Sequence, residues 1–447
     1  MKTIRELADD LAAERITSCA LIDLALERID AYRAAGGKAY ISVDHEGARR
    51  AAQASDRERA AGRVPSLLAG LPVSVKDNIA VRGEVNSAGS VALAHGAPAA
   101  HDAPAVARLR AAGAILVGRT NMSEFAFSGL GLNPHYGTPL NPHDTGRIAG
   151  GSTAGGAVSV ALGMAVAALG TDTGGSVRIP AAFCGIAGFK PSAQRVPQAG
   201  VIPLSSTLDC LGALARSVDC CAIVDAILSG QTHVAGPLPL RGLRLGVPGD
   251  VVLDGLDEPV RQAFDSALDS LRDAGALVQR FAFPELRDLA AINRAGGFAA
   301  AEAWAWHRKA DPERAFPYDP RVATRIARGE LLSAADYIDL LDARQRLIAS
   351  TGQRLAGYDA WLMPTVAQAA PRLAPLEQDE ALFMRTNAHV LRNASIVNFL
   401  DGCALSVPCA PARSGIGLSI CGLNGQDGHV LEIGRAVAAK LGTAIFS

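Results

Sequence analysis

Three side chains of this sequence are of types that together could make and use a nucleophile: Lys76, Ser152 and Ser176. Lys76 ends the apolar run PVSV and precedes Asp77 and Asn78. Ser152 follows Gly150 and Gly151, and Ser176 follows TDTGG. A serine hydroxyl needs a base, and a desolvated lysine can serve, because burial disfavours its charged form and brings the amine towards neutrality near pH 7. The glycines before Ser176 add a second ingredient. Successive backbone N–H groups of Thr173, Gly174, Gly175 and Ser176 could converge on an oxyanion, each such donor being worth roughly 2.7–4 kcal/mol. Each piece also has an ordinary reading. A lysine at a strand end usually faces solvent, and Gly-Gly-Ser is usually a turn.

Other chemistries find no foothold. The sequence contains no HExxH and no GxxxxGK[ST], and GLGLNP at 129–134 puts Pro134 where a dinucleotide fingerprint needs its third glycine. No GxSxG elbow exists, since Ala154 stands two positions after Ser152. The nine histidines sit in unrelated contexts, so a Ser-His-Asp arrangement has no positive support. The eight cysteines form no CxxC pair and no zinc spacing, which fits buried thiols in a reducing compartment. Cys184, close in sequence to Ser176, reads as a packing thiol. Trp304, Trp306 and His307 could line a pocket or cover a helix junction.

The elements that must position these residues can be sketched. Thr3 and Glu6 have capping-box spacing at the start of a first helix. Ser18 could cap a second, with Ile22, Leu26 and Ile29 on one side. Val73 and Val75 alternate with Ser74 and Lys76 as a strand would. A helix over 103–112 with Asp102 as N-cap and a strand over 114–117 then give βα alternation, which favours a mainly parallel sheet. Ten of the 46 glycines fall in 150–190, around one helical pattern at 155–169. Residues 229–242 read as a loop. A strand at 243–247, a helix at 258–273 and a strand at 276–281 follow. The stretch 284–357 is helical, and the tail returns to short strands before a helix at 430–441.

Composition narrows the class. Of the 447 residues, 49% are hydrophobic, only 5% aromatic and 19% charged, so a closely packed aliphatic core is expected rather than disorder. The length allows roughly three domains or one large α/β domain. Formal net charge is −1 and no Lys/Arg run exceeds two residues, which argues against nucleic acid or a membrane as partner. The uncharged run between Arg147 and Asp172 has an apolar part, 157–169, too short for a bilayer. With no secretory leader in MKTIRELADD, a cytoplasmic protein is expected.

The segment GGSTAGGAVSVALGMAVAALGTDTGGSVRIPAAFCGIAGFKPS, residues 150–192, resembles the signature segment of the amidase signature family, GGSSGG…GTDTGGSxRxPAAxCGxxGxKP. LPVSVKDN resembles the family's lysine segment, and VGRTNMSEFAF at 117–127 resembles the stretch between. NFLDGCALSVPC and GLSICG resemble its C-terminal region, so the resemblance covers nearly the whole chain. It implies Ser176 as nucleophile, Lys76 as base and Ser152, 24 positions before Ser176, as bridging serine after a cis Gly151–Ser152 peptide. It implies an oxyanion hole at Thr173, Gly174, Gly175 and Ser176, with no metal and no cofactor. Asp172 and Arg178 either grip a substrate carboxylate or form a structural pair holding the glycine loop. The second reading is preferred, since buried charges need partners. Ala126, Phe127 and Ser128 are expected to contribute to the pocket wall.

Two departures stand out. GGSSGG is GGSTAGG here, so Thr153 keeps a supporting hydroxyl and Ala154 replaces a glycine. His143 stands where the family often has an aromatic residue. The implied fold is a single α/β domain over 1–447, a large mixed, mainly parallel sheet flanked by helices. N-terminal helices in 1–35 would pack on it and the signature segment 150–192 would lie within it. The implied activity is hydrolysis of a small-molecule amide through a seryl acyl-enzyme. Urea-derived, aryl and indoleacetamide-like amides all fit, and a homodimer is left open. Two alternatives stand beside it. One is a glutaminase-type subunit of a tRNA-dependent amidotransferase, though LGLNPHYG replaces that subset's usual sequence after EFAFSG. The other is a non-catalytic binding protein on the same fold.

Overall fold

Short apolar runs bounded by glycine, proline or polar turns become strands in the computed structural model, which describes residues 1–231, 236–411 and 414–442. In chain order they are β1 (Tyr40–Val43), β2 (Pro72–Lys76), β3 (Ile115–Thr120), β4 (Ala167–Asp172), β5 (Ala187–Lys190) and β6 (Cys210–Ala215). Then come β7 (Arg244–Pro248), β8 (Leu277–Phe281), β9 (Ala360–Pro364), β10 (Cys403–Pro408) and β11 (Gly417–Gly422). Among the described residues they form one 11-stranded sheet in the order β1-β3-β2-β4-β6-β5-β10-β11-β9-β7-β8. Most of these strands are buried along their whole length, as strands covered by helices on both faces are.

The α/β class and the mixed sheet are as expected, but the sheet is not mainly parallel. Of its ten neighbouring pairs only four run parallel, β2 with β3 and β4, and β7 with β8 and β9. The other six are antiparallel; two of them, β5 with β6 and β10 with β11, join strands consecutive in the chain with no helix between, as antiparallel pairing permits. The βα alternation of 69–117 holds where the sequence shows it and does not extend to the centre of the sheet.

The N-terminal helices form as the pattern requires. Helix Ile4–Ala12 carries the Thr3–Glu6 capping box and buries Ile4, Leu7 and Leu11. Helix Ser18–Ala34 buries Ile22, Leu26 and Ile29. Its cap is Thr17, which accepts from the Ala20 N–H at 3.1 Å, while the Ser18 N–H donates to Asp56. Asp102 likewise does not cap the helix after it. Helix Pro104–Ala111 starts without a side-chain cap, and Asp102 accepts from the Arg82 N–H instead.

Two elements differ more. The pattern at 155–169 is a helix only over Ala154–Ala161; Gly163 turns the chain with φ +68°, and the remainder is β4. Both halves are buried, so the apolar run carries no period to separate helix from strand. In the tail, 358–402 contains not only a strand but the long helix Glu380–Phe399. Its buried Asn387, Asn393 and Asn398 interrupt the apolar stripe that marks a helix in sequence. The loop expected over 229–242 falls partly outside the described residues, at 232–235. The 243–247, 258–273 and 276–281 elements appear within a residue of their expected bounds.

Gly155 shows why the helix after Ser152 is glycine-rich. A Cβ there would lie 2.1 Å from the Ala39 carbonyl oxygen and 2.7 Å from the Asn121 backbone. This contact presses the helix onto the backbone of the segments beside β1 and β3. Gly155→Ala is expected to cost about 1–3 kcal/mol through overpacking. Urea denaturation checks it, and a variant as stable as the parent would refute the close approach.

Candidate active site

β2 and β4 are parallel neighbours, with Val75 opposite Leu169. Their C-terminal ends therefore lie side by side, which is where open α/β sheets ordinarily bind ligands. This register delivers Lys76 next to Thr171. Lys76 is 0% exposed, and its Nζ lies 2.7 Å from Ser152 Oγ, 2.7 Å from Thr171 Oγ1 and 3.3 Å from the Thr171 carbonyl oxygen. Asn78 Nδ2 also donates to Thr171 Oγ1, at 3.2 Å. Burial draws the lysine amine down from 10.5 to about 7, against the opposing pull of Asp172 and Asp209. A neutral amine has two N–H bonds and one lone pair. Thr171 offers two acceptors, so the lone pair is left for the Ser152 hydroxyl.

Ser152 follows a cis Gly151–Ser152 peptide and is fully buried. The turn is tied on both sides. The Gly151 N–H donates to the Gly129 carbonyl at 2.8 Å, and the Ser123 N–H donates to the Ser152 carbonyl at 3.2 Å. The next residue, Thr153, donates its N–H to the Ser176 carbonyl at 3.2 Å, which holds the two serine turns together. Its hydroxyl supports the turn through the Thr171 carbonyl, at 3.4 Å. Ser176 is a buried residue, 3% exposed, and its hydroxyl forms no hydrogen bond with the described residues. Lys76 and Ser152 are thus joined directly, and Ser176 is joined to them through the backbone.

The loop from Thr173 to Ser176 is shaped by Asp172, whose carboxylate is an anchor on five sides. Arg178 donates to it through Nε at 3.0 Å and Nη2 at 2.9 Å. The N–H groups of Gly175 and Val177 donate at 2.8 and 3.1 Å, and Asn398 Nδ2 donates at 3.0 Å. The Arg178 pair holds the Asp172 carboxyl well below the usual carboxylate range despite burial. Asp172 and Arg178 therefore face each other, and their pair holds the glycine loop. One correction follows for the expected oxyanion donors. The Gly175 N–H is already committed to Asp172, whereas those of Thr173, Gly174 and Ser176 bond to no described residue. Gly175 serves instead by conformation: its φ is +123°, and a Cβ would meet Ile179 and Ala394 at 2.5 and 2.6 Å. Thr173 is fixed by its hydroxyl, which donates to Asp209. Burial raises that carboxyl to about 6.

Ala126, Phe127 and Ser128 lie beside this turn. Ser128 accepts from Ser123 Oγ through its carbonyl, at 3.1 Å, and donates its own hydroxyl to Asn387 at 3.0 Å. Cys184 is buried with its thiol pushed up by desolvation, and His143 contacts its carbonyl at 3.0 Å. Trp304, Trp306 and His307 belong to helix Gly297–Ala310. Trp306 and His307 pack on Phe125, and His307 on Tyr318 as well, so this is a helix junction. Sequence reasoning missed Thr171, Asn78, Asn387, Asn398 and Asp209. Thr171 and Asn78 stood in plain view inside GTDTGGS and VKDN. The other three have no local signal, since their partners are distant in sequence.

Residues 20–431 match the Amidase family. The chain is 37% identical over 448 residues to the 2-amino-5-chloromuconic acid deaminase of Comamonas testosteroni, covering 98% of this chain and 96% of that one. It is 33% identical over 470 residues to a subunit of the glutamyl-tRNA(Gln) amidotransferase of Roseiflexus sp. (strain RS-1), covering 97% and 95%. A crystal structure of an amidase superposes with a TM-score of 0.89 at 35% identity, over 98% of this chain and 100% of that chain. No helix among the described residues is long and apolar enough to cross a membrane. The chain belongs to the amidase family, whose members are hydrolases of carbon–nitrogen amide bonds.

Proposed function

We propose that this enzyme hydrolyses a small-molecule amide through an acyl group carried on Ser176, with Lys76 as base and Ser152 as the relay between them. The observation that carries the reading is the 2.7 Å contact of a buried lysine amine, lowered to about 7, with the Ser152 hydroxyl. Lys76 takes the Ser152 proton as Ser152 takes that of Ser176. Ser176 Oγ adds to the amide carbon, and the oxyanion rests on the N–H groups of Thr173, Gly174 and Ser176. The C–N bond breaks as Lys76 returns its proton through Ser152 to the leaving nitrogen, releasing ammonia or an amine. Water adds to the acyl-Ser176 ester by the same relay and frees the carboxylate. The eight unpaired thiols support a cytoplasmic setting.

The test is labelling by a fluorophosphonate, followed by peptide mapping. The adduct is expected on Ser176, and Ser176→Ala is expected to take up none. An adduct elsewhere, or undiminished labelling of the variant, would sink the assignment. A second reading is favoured by the likeness to the amidotransferase: this chain would be a glutaminase working in a complex. Ammonia release from a panel of primary amides by the purified chain alone separates the two, since a glutaminase of that kind would need its partners.

A further inference from the structure

We propose that Asp209 is a positioning residue of the oxyanion hole, its carboxylate fixing the Thr173 side chain so that the Thr173 N–H stays aimed at the reacting carbonyl oxygen. This rests on the reading of Ser176 as the reacting centre. The register of β4 against β6 brings the two residues together. Thr171 stands opposite Leu211 and Asp172 opposite Cys210, and one step further along the same pairing sets Thr173 opposite Asp209. Thr173 is 5% exposed and Asp209 4%. Thr173 Oγ1 donates to Asp209 Oδ1. Asp209 Oδ2 accepts from the Leu204 N–H at 3.0 Å and the Ser205 N–H at 3.1 Å. Three donors converging on one carboxylate suit its ionised form, which only accepts.

The 173–176 loop is thus held by a carboxylate at each end, in two different ways. Asp172 takes the N–H groups of Gly175 and Val177, which removes the Gly175 donor from the oxyanion. Asp209 takes only a side-chain hydroxyl, so the Thr173 N–H stays open while its residue is tied down. The turn that carries Asp209 is itself braced. The Asp209 N–H donates to the Ser205 carbonyl at 2.7 Å, and Asn398 Nδ2 donates to the Leu208 carbonyl at 3.4 Å. From the other side Glu302, on helix Gly297–Ala310, accepts from Ser205 Oγ, from the Thr207 N–H at 3.0 Å and from Tyr337 Oη at 2.7 Å. Rigidity of this kind matters for rate. An oxyanion donor works because it does not have to reorganise as charge develops, and a misplacement of about 1 Å can cost about 10²-fold. Asp209 also acts on the base. Its charge favours the ammonium form of Lys76, as does that of Asp172 at the end of β4. The other titratable groups that Asp209 acts on or feels are Glu302 and the neighbouring Cys210 thiol on β6.

The test reads the rate constant and the half-saturating concentration of fluorophosphonate labelling at Ser176. The phosphonyl oxygen takes the place of the oxyanion, so the probe reports on the same donors. Asp209→Ala and Thr173→Val are each expected to lower the rate constant about 10–100-fold with little change in half-saturation. The double variant should be no slower than the slower single one, since one hydrogen bond is lost in all three. Thr173→Ser should restore most of the rate. So should Asp209→Asn, whose carbonyl can keep the two backbone N–H groups while its amide donates to Thr173 Oγ1. Asp209→Asn lacks the charge, however, so the acid limb set by Lys76 should move to lower pH. Tyr337→Phe removes a bond from the outer brace and serves as the structural control: it should lower the urea midpoint and label at the wild-type rate. Wild-type labelling by folded Asp209→Ala or Thr173→Val, additive losses, an unmoved acid limb in Asp209→Asn, or equal slowing by Tyr337→Phe overturns the proposal. Where Asp209→Ala does not fold, Thr173→Val and Asp209→Asn decide it. Absence of labelling at Ser176 in the wild type instead fails the underlying reading.

Discussion

Lys76→Ala is expected to lower kcat/KM by about 10²–10⁴-fold, the usual contribution of a positioned general base. The pH profile identifies the cause. The working form of Lys76 is the neutral amine, held near 7 by burial, so wild-type kcat/KM should fall as pH drops below about 7 and level off above it. In Lys76→Ala the residual rate should lose that limb. A variant that retains the wild-type rate across neutral pH would refute the assignment.

The same shift predicts a stability signature of Lys76. The folded state holds the amine at about 7, against 10.5 for an ordinary lysine, so between these values the unfolded chain binds more protons. Stability therefore rises with pH across that window, and the cost of burying the lysine is greatest below it. Lys76→Met fills the same space with an apolar chain and removes the slope. It should be inactive yet at least as stable at neutral pH. This separates loss of the base from loss of the fold.

How far the sequence revealed the site depended on whether its parts lie close together in the chain. Ser152, Thr171, Asp172, Ser176 and Arg178 fall within one segment, so their kinship could be read from it. Lys76 needed only the strand pattern of PVSV. The helix split at Gly163 was missed because a run buried on every side has no polar face to give it a period. Helix Glu380–Phe399 was missed for the opposite reason: Asn387 and Asn398 are inside, bonding to Gly129 and Asp172. A polar residue counts as a surface residue in sequence until its partner is known. These are the residues that hold the oxyanion loop and the 127–129 run. The Gly175 N–H, counted as an oxyanion donor, belongs to Asp172. A row of glycines shows that amides can point together, not which of them are already bonded.

That bond makes Asp172 the site of the largest expected loss of stability. Both members of the Asp172–Arg178 pair are 0% exposed. Asp172→Ala leaves the guanidinium buried with only Asn398 as a side-chain partner among the described residues, and breaking such a pair from one side costs about 3–5 kcal/mol. Arg178→Met in the same chain removes the orphaned charge, so the double variant should recover part of that loss in urea denaturation. Activity should not follow stability. The N–H groups of Gly175 and Val177 still lack their acceptor, and the 173–176 loop loses the bond that sets its shape, so kcat should stay depressed in the double variant. The pH sign is fixed by the depressed carboxyl. Its stabilisation is complete above the unfolded value of 3.8 and is lost as pH falls below it towards the lower folded value, a limb the double variant should lack. A double variant that regains both stability and wild-type kcat would show that the pair only fills space, and that the loop is held by something else.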